Sequence, residues 1–187
     1  MSSKRAKPAK PKAAKPQDDD DLIAEGPFMI ERAMAGLSRA LRGKHFDRPG
    51  DADAYISKLL EEGTAEEAAE PTTPLEAAQD LIYVAWEARD RDERISLAEE
   101  ALEISADCAD AFTLLGNEKA ASAAEARAYY EEGVRAGLRA LGEGMFEENA
   151  GMFWGILETR PYMRARLELA ICLWTLDEAD EAVEHLQ

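Results

Sequence analysis

Paired helical segments that recur after Thr73 constrain the fold of this chain most strongly. Each segment places apolar or small residues three and four positions apart, the spacing that forms one face of an α-helix. Two segments together span about 34 residues before the pattern starts again. The sequence shows no strand-like alternation of apolar and polar residues, and the helix formers Ala, Glu and Leu dominate it. It therefore predicts an all-α fold of stacked helical hairpins.

Capping residues predict where several of these helices start. Thr73, followed by Pro74 and by Glu76, has the order of a capping box with proline in the first turn. The run Ser122–Glu125 predicts a second capping box. The other two starts are expected at aspartates, namely at Asp90 or Asp92 and at Asp107, and Asp177 is expected to mark the break between the last two helices.

The second hairpin carries the clearest repeat signature. Its first helix offers a large residue followed by Leu-Gly, and its second offers Ala, an aromatic residue and a small residue. These positions are Phe112, Leu115, Gly116, Ala126, Tyr130 and Gly133. Small residues allow two helices to cross closely, and the aromatic ring fills the space beside them. The pattern resembles the tetratricopeptide repeat, which the first and third hairpins match only in part.

Two longer segments, ALEISADCADAFTLLGNEKAASAAEARAYYEEGVRAG and FWGILETRPYMRARLELA, carry a more specific resemblance. Over about residues 73–187 the chain is similar to the suppressor of tumorigenicity seven family and its shorter bacterial relatives. The resemblance implies a tetratricopeptide-type solenoid that serves as a scaffold, with a regulatory role as one option. Animal members carry membrane-spanning segments. No apolar run here approaches the roughly 20 residues such a helix needs, so membrane location is not carried over.

Composition divides the chain into four segments. Residues 1–21 form a Lys/Pro/Asp tail that is predicted to be disordered, and residues 22–63 are predicted to form short N-terminal helices. Residues 64–74 are interpreted as a linker, and residues 75–187 as the helical repeats. Gln187 falls inside the expected second helix of the third hairpin. We therefore expect a truncated third repeat and a natural protein that continues.

The two short N-terminal helices have weaker patterns of their own. Apolar residues at helical spacing predict that the first helix buries Ile30, Met34, Leu37 and Leu41. The second helix is predicted to start with Asp51 as its N-cap.

Charge is distributed unevenly along the chain. Residues 1–17 hold six basic residues and no acidic one, so the remainder is more acidic than the overall net charge of −17. An acidic body repels phosphate and opposes binding to nucleic acid or to anionic membranes. Nucleic acid is therefore an unlikely partner except through residues 1–17, which leaves a regulatory nucleic-acid-associated protein as the alternative function. A purely solubilising tail is the simpler interpretation of the same residues.

Residues suited to catalysis are scarce. The only histidines are His45 and His185, which share no metal-binding spacing with the cysteines, Cys108 and Cys172. Cys108 near a helix start could be an activated thiol, although a packed core residue is the simpler interpretation. We therefore predict no enzyme activity, no cofactor and no metal site. Two separated cysteines without a signal peptide indicate reduced thiols and a cytoplasmic protein.

The groove of the predicted solenoid is the leading candidate for function. First helices of stacked hairpins line a concave surface that binds peptides or partner helices. The positions expected to face the groove are Glu76, Gln79, Tyr83, Asp110, Thr113, Asn117, Arg164 and Ile171. Because acidic residues are prominent among them, we expect a protein or peptide partner of basic or mixed charge.

The stretch MFWGILETRPYMRARLELA, residues 152–170, is expected to join the second hairpin to the third. Trp154, Ile156 and Leu157 are predicted to fill the space between hairpins. The arginines that follow either pair with nearby acids such as Glu158 and Glu168, or contact a ligand. The residues proposed to contact a partner are Tyr83, Asn117, Trp154, Arg160, Tyr162 and Arg164.

Overall fold

The computed structural model describes residues 27–65 and 69–186 and contains no strand within them. The predicted tail at residues 1–21 and the expectation at Gln187 lie outside these residues. The helices are α1 Pro27–Leu41, α2 Pro49–Glu61, α3 Pro74–Glu87, α4 Arg91–Ile104, α5 Ala109–Lys119, α6 Ala123–Glu148, α7 Arg160–Thr175 and α8 Ala179–Leu186. The predicted all-α fold is confirmed.

Helices α3 to α8 form three consecutive hairpins, α3–α4, α5–α6 and α7–α8. Each helix packs against the next along the chain, and α5 also packs against both α3 and α7. The first helices of the three hairpins therefore lie side by side. This arrangement confirms the predicted helical-hairpin packing and creates one continuous surface made by α3, α5 and α7.

Both predicted capping boxes are present. The Thr73 hydroxyl accepts a hydrogen bond from the Glu76 amide at 3.1 Å, and the Glu76 carboxylate accepts one from the Thr72 amide at 2.7 Å. The Ser122 hydroxyl likewise accepts from the Glu125 amide at 3.3 Å. These bonds satisfy amides that a helix start would otherwise leave without partners. They fix where α3 and α6 begin.

The aspartates at the other two starts behave differently. Asp90 caps α4, because its carboxylate accepts a hydrogen bond from the Glu93 amide at 3.0 Å. The prediction that Asp107 caps α5 is wrong, since Cys108 is the N-cap residue and makes no side-chain cap. The Asp107 carboxylate instead accepts from Arg139 Nε at 2.7 Å. An ion pair with α6 has taken the side chain away from the helix start.

The hydrophobic core is divided between two clusters. The cluster between α3, α4 and α5 contains Ala78, Ile82, Ala85, Ala98, Ala101, Cys108, Ala111, Leu114 and Leu115. The cluster between α6, α7 and α8 contains Ala126, Tyr130, Val134, Tyr162, Ala165, Leu169, Cys172, Leu173 and Ala182. Many of these residues are alanines, whose small side chains allow the helices to approach closely. Leu138 of α6 lies outside both clusters and is exposed.

Helix α6 changes direction at Gly142. The backbone there has φ of 68° and ψ of 165°, a conformation that residues other than glycine rarely adopt. The last turns of α6 fold back, and the Phe146 ring lies 5.0 Å from Phe153 and 5.3 Å from Tyr162. The three rings close the end of the second cluster.

The joint between the second and third hairpins consists of two short 3₁₀ turns, Phe153–Gly155 and Leu157–Thr159. The prediction that Trp154 fills the space between hairpins is wrong, because its side chain is 52% exposed. The neighbouring Phe153 packs against the core instead. The buried Thr159 hydroxyl donates to the carbonyl oxygens of Phe153 and Ile156 and closes the joint.

Helix α1 contradicts its predicted orientation. Ile30 and Met34, expected to be buried, are 56% and 41% exposed, whereas Glu31 and Arg39 are buried. Helix α1 packs against α3, and its polar stripe faces the surface made by α3, α5 and α7. Helix α2 begins at Pro49 after Arg48, so the predicted start at Asp51 falls inside its first turn.

Candidate functional site

A polar cluster connects the first helices of all three hairpins. The side-chain amide of Gln79 on α3 donates to Asp110 on α5 at 2.9 Å. Asp110 is fully buried and also accepts from Arg164 Nε on α7 at 2.8 Å, with a second bond from Arg164 Nη2. A buried carboxylate is tolerated only when its hydrogen bonds are satisfied, and here donors from two neighbouring helices satisfy it.

Helix α1 adds a second carboxylate to this cluster. Glu31 accepts from Arg164 Nη1 at 3.0 Å and Nη2 at 2.8 Å, in the two-pronged geometry that suits guanidinium and carboxylate. It also accepts from Arg160 Nη1 at 3.3 Å and from the Tyr83 hydroxyl at 3.2 Å. Arg164 therefore lies between Asp110 of α5 and Glu31 of α1.

Two aromatic rings cover this ion-pair cluster. Phe28 of α1 stacks on Trp86 of α3 with ring centroids 3.8 Å apart and planes 22° apart. The Arg164 guanidinium lies 5.7 Å from the Phe28 centroid and 5.1 Å from the Trp86 centroid. Cation–π attraction adds to the ion pairs, and the rings limit access of water to the charges.

The surroundings fix the protonation states of the central groups. Burial raises the pKa of the Tyr83 hydroxyl, and the nearby Glu31 and Asp110 raise it further, so Tyr83 stays a neutral donor. Burial lowers the pKa of Arg164, but Asp110 and Glu31 outweigh that effect and raise it overall. The guanidinium is therefore charged at any physiological pH.

A second set of ion pairs holds the other end of α1. Arg39 donates from both terminal nitrogens to the two Asp80 oxygens at 3.0 Å each, and from Nε to the Ala69 carbonyl at 3.1 Å. Beside it, Arg42 lies 2.7 Å from the Glu76 carboxylate. Helix α1 therefore runs antiparallel to α3, from Trp86 toward the start of α3.

A cleft remains between α1 and the solenoid. Its volume is about 110 Å³, and side chains from α1, α3, α6, the joint and α7 line it. Most of its wall is apolar, including Ala35, Leu75, Ala140, Leu141, Leu157 and Pro161. The cleft follows from the incomplete fit between α1 and the groove.

Cys108 lies beside this cluster but is not activated. Burial raises the pKa of its thiol to about 12, and the neighbouring Asp110 acts in the same direction. The alternative of a lowered pKa at a helix start is therefore wrong, because desolvation outweighs the helix terminus. Within the described residues, no group of three or more His, Cys, Asp or Glu side chains could hold a metal ion.

Three of the six residues proposed to contact a partner meet in the structure. Tyr83, Arg160 and Arg164 all donate hydrogen bonds to Glu31. They come from α3 and α7, so the predicted alignment of the first helices brought them together. The site they form is occupied by a residue of the same chain.

The other three proposed residues lie elsewhere. Asn117 is exposed on α5, two turns beyond the cluster, and accepts a hydrogen bond from the Tyr130 hydroxyl at 2.6 Å. Trp154 is exposed on the joint and meets the cluster only through its carbonyl, which accepts from Arg160 Nε at 3.2 Å. Tyr162 is buried in the aromatic group at the end of α6.

Sequence reasoning missed Phe28, Glu31 and Trp86. The apolar spacing of α1 indicated its exposed side as the buried one, and no pattern in the sequence singled out Trp86 at the end of α3. A usable signal was present, because Phe28, Glu31 and Arg39 fall on one helical face. Reading that polar face as the contacting one would have required knowing that the groove itself is polar.

None of the helices in the described parts of the chain combines the length and apolar character needed to cross a membrane.

Comparison with known proteins gives a result over most of the repeat region. The family model described as ST7 protein matches residues 70–186. A suppressor of tumorigenicity 7 protein-like protein from chicken, Gallus gallus, is 35% identical over 66 residues, which are 35% of this chain and 12% of the relative. The chain thus aligns with only a small part of that relative. No solved structure matches. Because the family model covers more than half of the chain, the chain belongs to the ST7 protein family.

Proposed function

We propose that the chain is a non-enzymatic interaction scaffold that binds a peptide or helix in the groove made by α3, α5 and α7. The observation that supports this function most directly is α1 itself. An amphipathic helix lies in the groove, with Phe28 stacked on Trp86 and Arg39 bonded to Asp80. A groove that accommodates one helix has the dimensions and side chains to accommodate another.

The groove extends beyond the part that α1 covers. Asn117 lies two turns past Asp110 on α5, and Ile171 lies two turns past Arg164 on α7, and both side chains are exposed. These positions face the same side of their helices as the polar cluster, because seven residues make nearly two full turns. A ligand longer than α1 would contact them.

The charges of the groove favour a ligand of mixed charge. Arg160 and Arg164 bind the carboxylate of Glu31 at one end, and Asp80 binds the guanidinium of Arg39 at the other. The buried thiol of Cys108 remains protonated at neutral pH, which supports a binding role over a thiol-dependent reaction.

Selection of helical peptides tests this function. A displayed peptide library is selected against the full chain, both as wild type and as the double variant Phe28→Ala with Glu31→Gln, in which α1 is loosened. Binders are then measured on Asn117→Arg and Ile171→Arg versions of the same protein. An arginine at either position obstructs the open part of the groove, so we expect Kd to rise at least about tenfold, or roughly 1.4 kcal/mol.

Ser96→Arg is the matched control, because Ser96 is an exposed helical position on α4, the outer helix of its hairpin. It should leave Kd unchanged, and thermal unfolding should show that all variants are folded. Binders that respond equally to all three arginines, or a library that yields no binder to either protein, would contradict the proposed function.

A further inference from the structure

The side chains that hold α1 form a single stripe along the helix. Phe28, Glu31 and Arg39 lie three and eight residues apart, so three turns of helix place them on one face. Each meets a different part of the groove: Trp86, the two arginines of α7, and Asp80. The order aromatic, carboxylate, arginine therefore matches the groove from one end to the other.

Helix α1 is bound through this stripe and not through the hydrophobic core. Neither core cluster contains a residue of α1, and its large apolar residues Ile30 and Met34 point away from the groove. Its buried side chains are the charged Glu31 and Arg39 and the small Ala40. Buried ion pairs give specificity and register but little net stabilisation, because each charge loses its hydration on binding.

The segment after α1 holds it only loosely in place. In the described part of the chain, α2 contributes no residue to either core cluster, and its ion pairs are local, such as Lys58 with Glu62. Helix α1 is therefore attached to the solenoid mainly by its own stripe, to which Arg32 and Arg42 add more exposed ion pairs with Glu87 and Glu76. Tethering gives such a helix an effective concentration on the order of millimolar at the groove. A ligand that binds the groove with sufficient affinity can still displace it.

We propose that α1 is an internal pseudo-ligand of the groove. The partner is an amphipathic helix with the same stripe: an aromatic residue, a carboxylate three residues later, and an arginine eight residues after that. It displaces α1 and binds antiparallel to α3. It gains further contacts at the exposed Asn117 and Ile171, which α1 does not cover. This inference rests on the proposed groove-binding function and names the chemistry of its ligand.

The assignment explains the arrangement around Arg164. Asp110 remains bonded to this guanidinium when α1 leaves, so the open groove still has a partner for its buried charge. The edge of the guanidinium that carries Nη1 and Nη2 then becomes available to an incoming carboxylate, and so does Arg160. A groove held in this state by Asp110 and Gln79 is preorganised for an acidic side chain at that position.

A labelled peptide with the α1 sequence PFMIERAMAGLSRAL tests the proposal. Fluorescence anisotropy is measured with the full chain as wild type and as the double variant Phe28→Ala with Glu31→Gln. Because the tethered helix competes less in the variant, we expect Kd to fall at least tenfold relative to wild type. The same peptide carrying Gln in place of its glutamate should bind the variant at least tenfold more weakly than the unmodified peptide.

Phe46→Ala with Glu62→Gln is the matched protein control. It removes an aromatic ring that precedes α2 and a carboxylate that follows α2. Both lie outside the groove, so peptide binding should stay at the wild-type level. Arg39→Gln provides an independent way to loosen α1 at its other end and should also tighten peptide binding. Circular dichroism and thermal unfolding verify that each variant is folded.

Hydrogen exchange on the wild-type chain tests displacement without any substitution. Saturating peptide should speed amide exchange across residues 27–41 and slow it in α3 and α7. Folded variants that bind the peptide no more tightly than wild type, together with unchanged exchange in α1, would overturn the proposal. Light scattering that shows the variants pairing through exchanged α1 helices would also overturn it, by making a second copy the occupant.

The outcomes separate this inference from the proposed function. If library peptides bind at Asn117 and Ile171 but the α1 peptide does not, the groove function stands and the ligand chemistry is wrong. If no helical peptide binds wild type or variant, both fail.

Discussion

Gly116 shows how a single missing side chain determines the packing of the second hairpin. A Cβ atom at this position would lie 2.5 Å from Cε1 of Tyr130, whose hydroxyl is held by Asn117. The ring cannot move away without losing that bond. We predict that Gly116→Ala lowers the free energy of unfolding by roughly 1–3 kcal/mol, the usual cost of overpacking a tight site. Urea unfolding followed by circular dichroism measures it.

Gly144→Ala is the control for that substitution. A Cβ at Gly144 meets nothing within 4 Å, and Gly144 lies inside α6 with an ordinary helical backbone. Alanine should therefore leave stability unchanged or raise it by up to about 1 kcal/mol through its greater helix propensity. Equal stabilities of the two variants would mean that Tyr130 adapts without cost.

Individual residues were predictable where their role is local. Gly116 and Tyr130 belong to one hairpin, so their spacing along the chain carried the information. The prediction for Trp154 was wrong because the geometry of a 3₁₀ turn decides whether Trp154 or Phe153 faces the core, and spacing along the chain does not determine that geometry. Arg164 was placed in the groove correctly, but its partner Glu31 is 133 residues away and no local pattern connects them.

At the scale of one element, the first turn of α3 makes a pH-dependent contribution to the stability of the folded chain. Burial raises the pKa of Glu76, but hydrogen bonds from Thr72 and from Arg42 outweigh it and hold the pKa below its ordinary value of 4.5. A lowered pKa contributes stability that is fully present above the unfolded-state pKa. That stability is lost as pH falls through the lower, folded-state value.

We therefore predict that Glu76→Gln destabilises the chain by about 1 kcal/mol at pH 7, as loss of a capping interaction does. The difference from wild type should shrink as the pH falls below about 4.5, because the unfolded chain then binds a proton at Glu76 that the folded chain binds only at lower pH. Urea unfolding at several pH values measures the change. Glu100→Gln, an exposed position on α4, is the control and should show no such dependence. A constant difference from pH 3 to pH 7 would contradict the assignment.

Helices themselves were easier to predict than the faces they bury. Capping boxes at Thr73 and Ser122 fixed two starts, because cap and helix are adjacent in sequence. The buried face of α1 was predicted wrongly, because the apolar-inside rule assumes that the surface it meets is apolar. The polar cluster at Asp110 reverses that rule, and it forms only once α3, α5 and α7 are side by side.

At the scale of the whole molecule, the order of hairpins followed from the period of the sequence, and the contents of the groove did not. A repeat determines which helices stack, because each hairpin contacts its neighbours. Whether a segment outside the repeats returns to the groove depends on contacts between distant parts of the chain. The N-terminal helices were interpreted as a separate segment for that reason, although α1 completes the candidate site.

An exposed apolar stripe on the last hairpin, which begins at the edge of the groove, leads to a prediction for the molecule as a whole. Leu167, Ile171 and Trp174 form an apolar stripe on α7 beside Leu186, and the Trp174 side chain is 64% exposed. Contiguous apolar patches of this kind bind apolar dyes, whereas scattered apolar residues do not. We predict that the full chain enhances the fluorescence of anilinonaphthalene sulfonate and that Trp174→Glu removes at least half of that signal.

Trp154→Glu provides the comparison that makes this prediction specific. Trp154 is exposed to a similar degree, 52%, but it lies on the joint and is not part of the apolar stripe beside Leu186. Because both substitutions replace an exposed tryptophan by glutamate, they change the charge and the aromatic content of the chain equally. Only Trp174→Glu should weaken dye binding. Equal losses in the two variants would show that the dye responds to net charge, and the stripe on α7 would then not form a continuous apolar surface in solution.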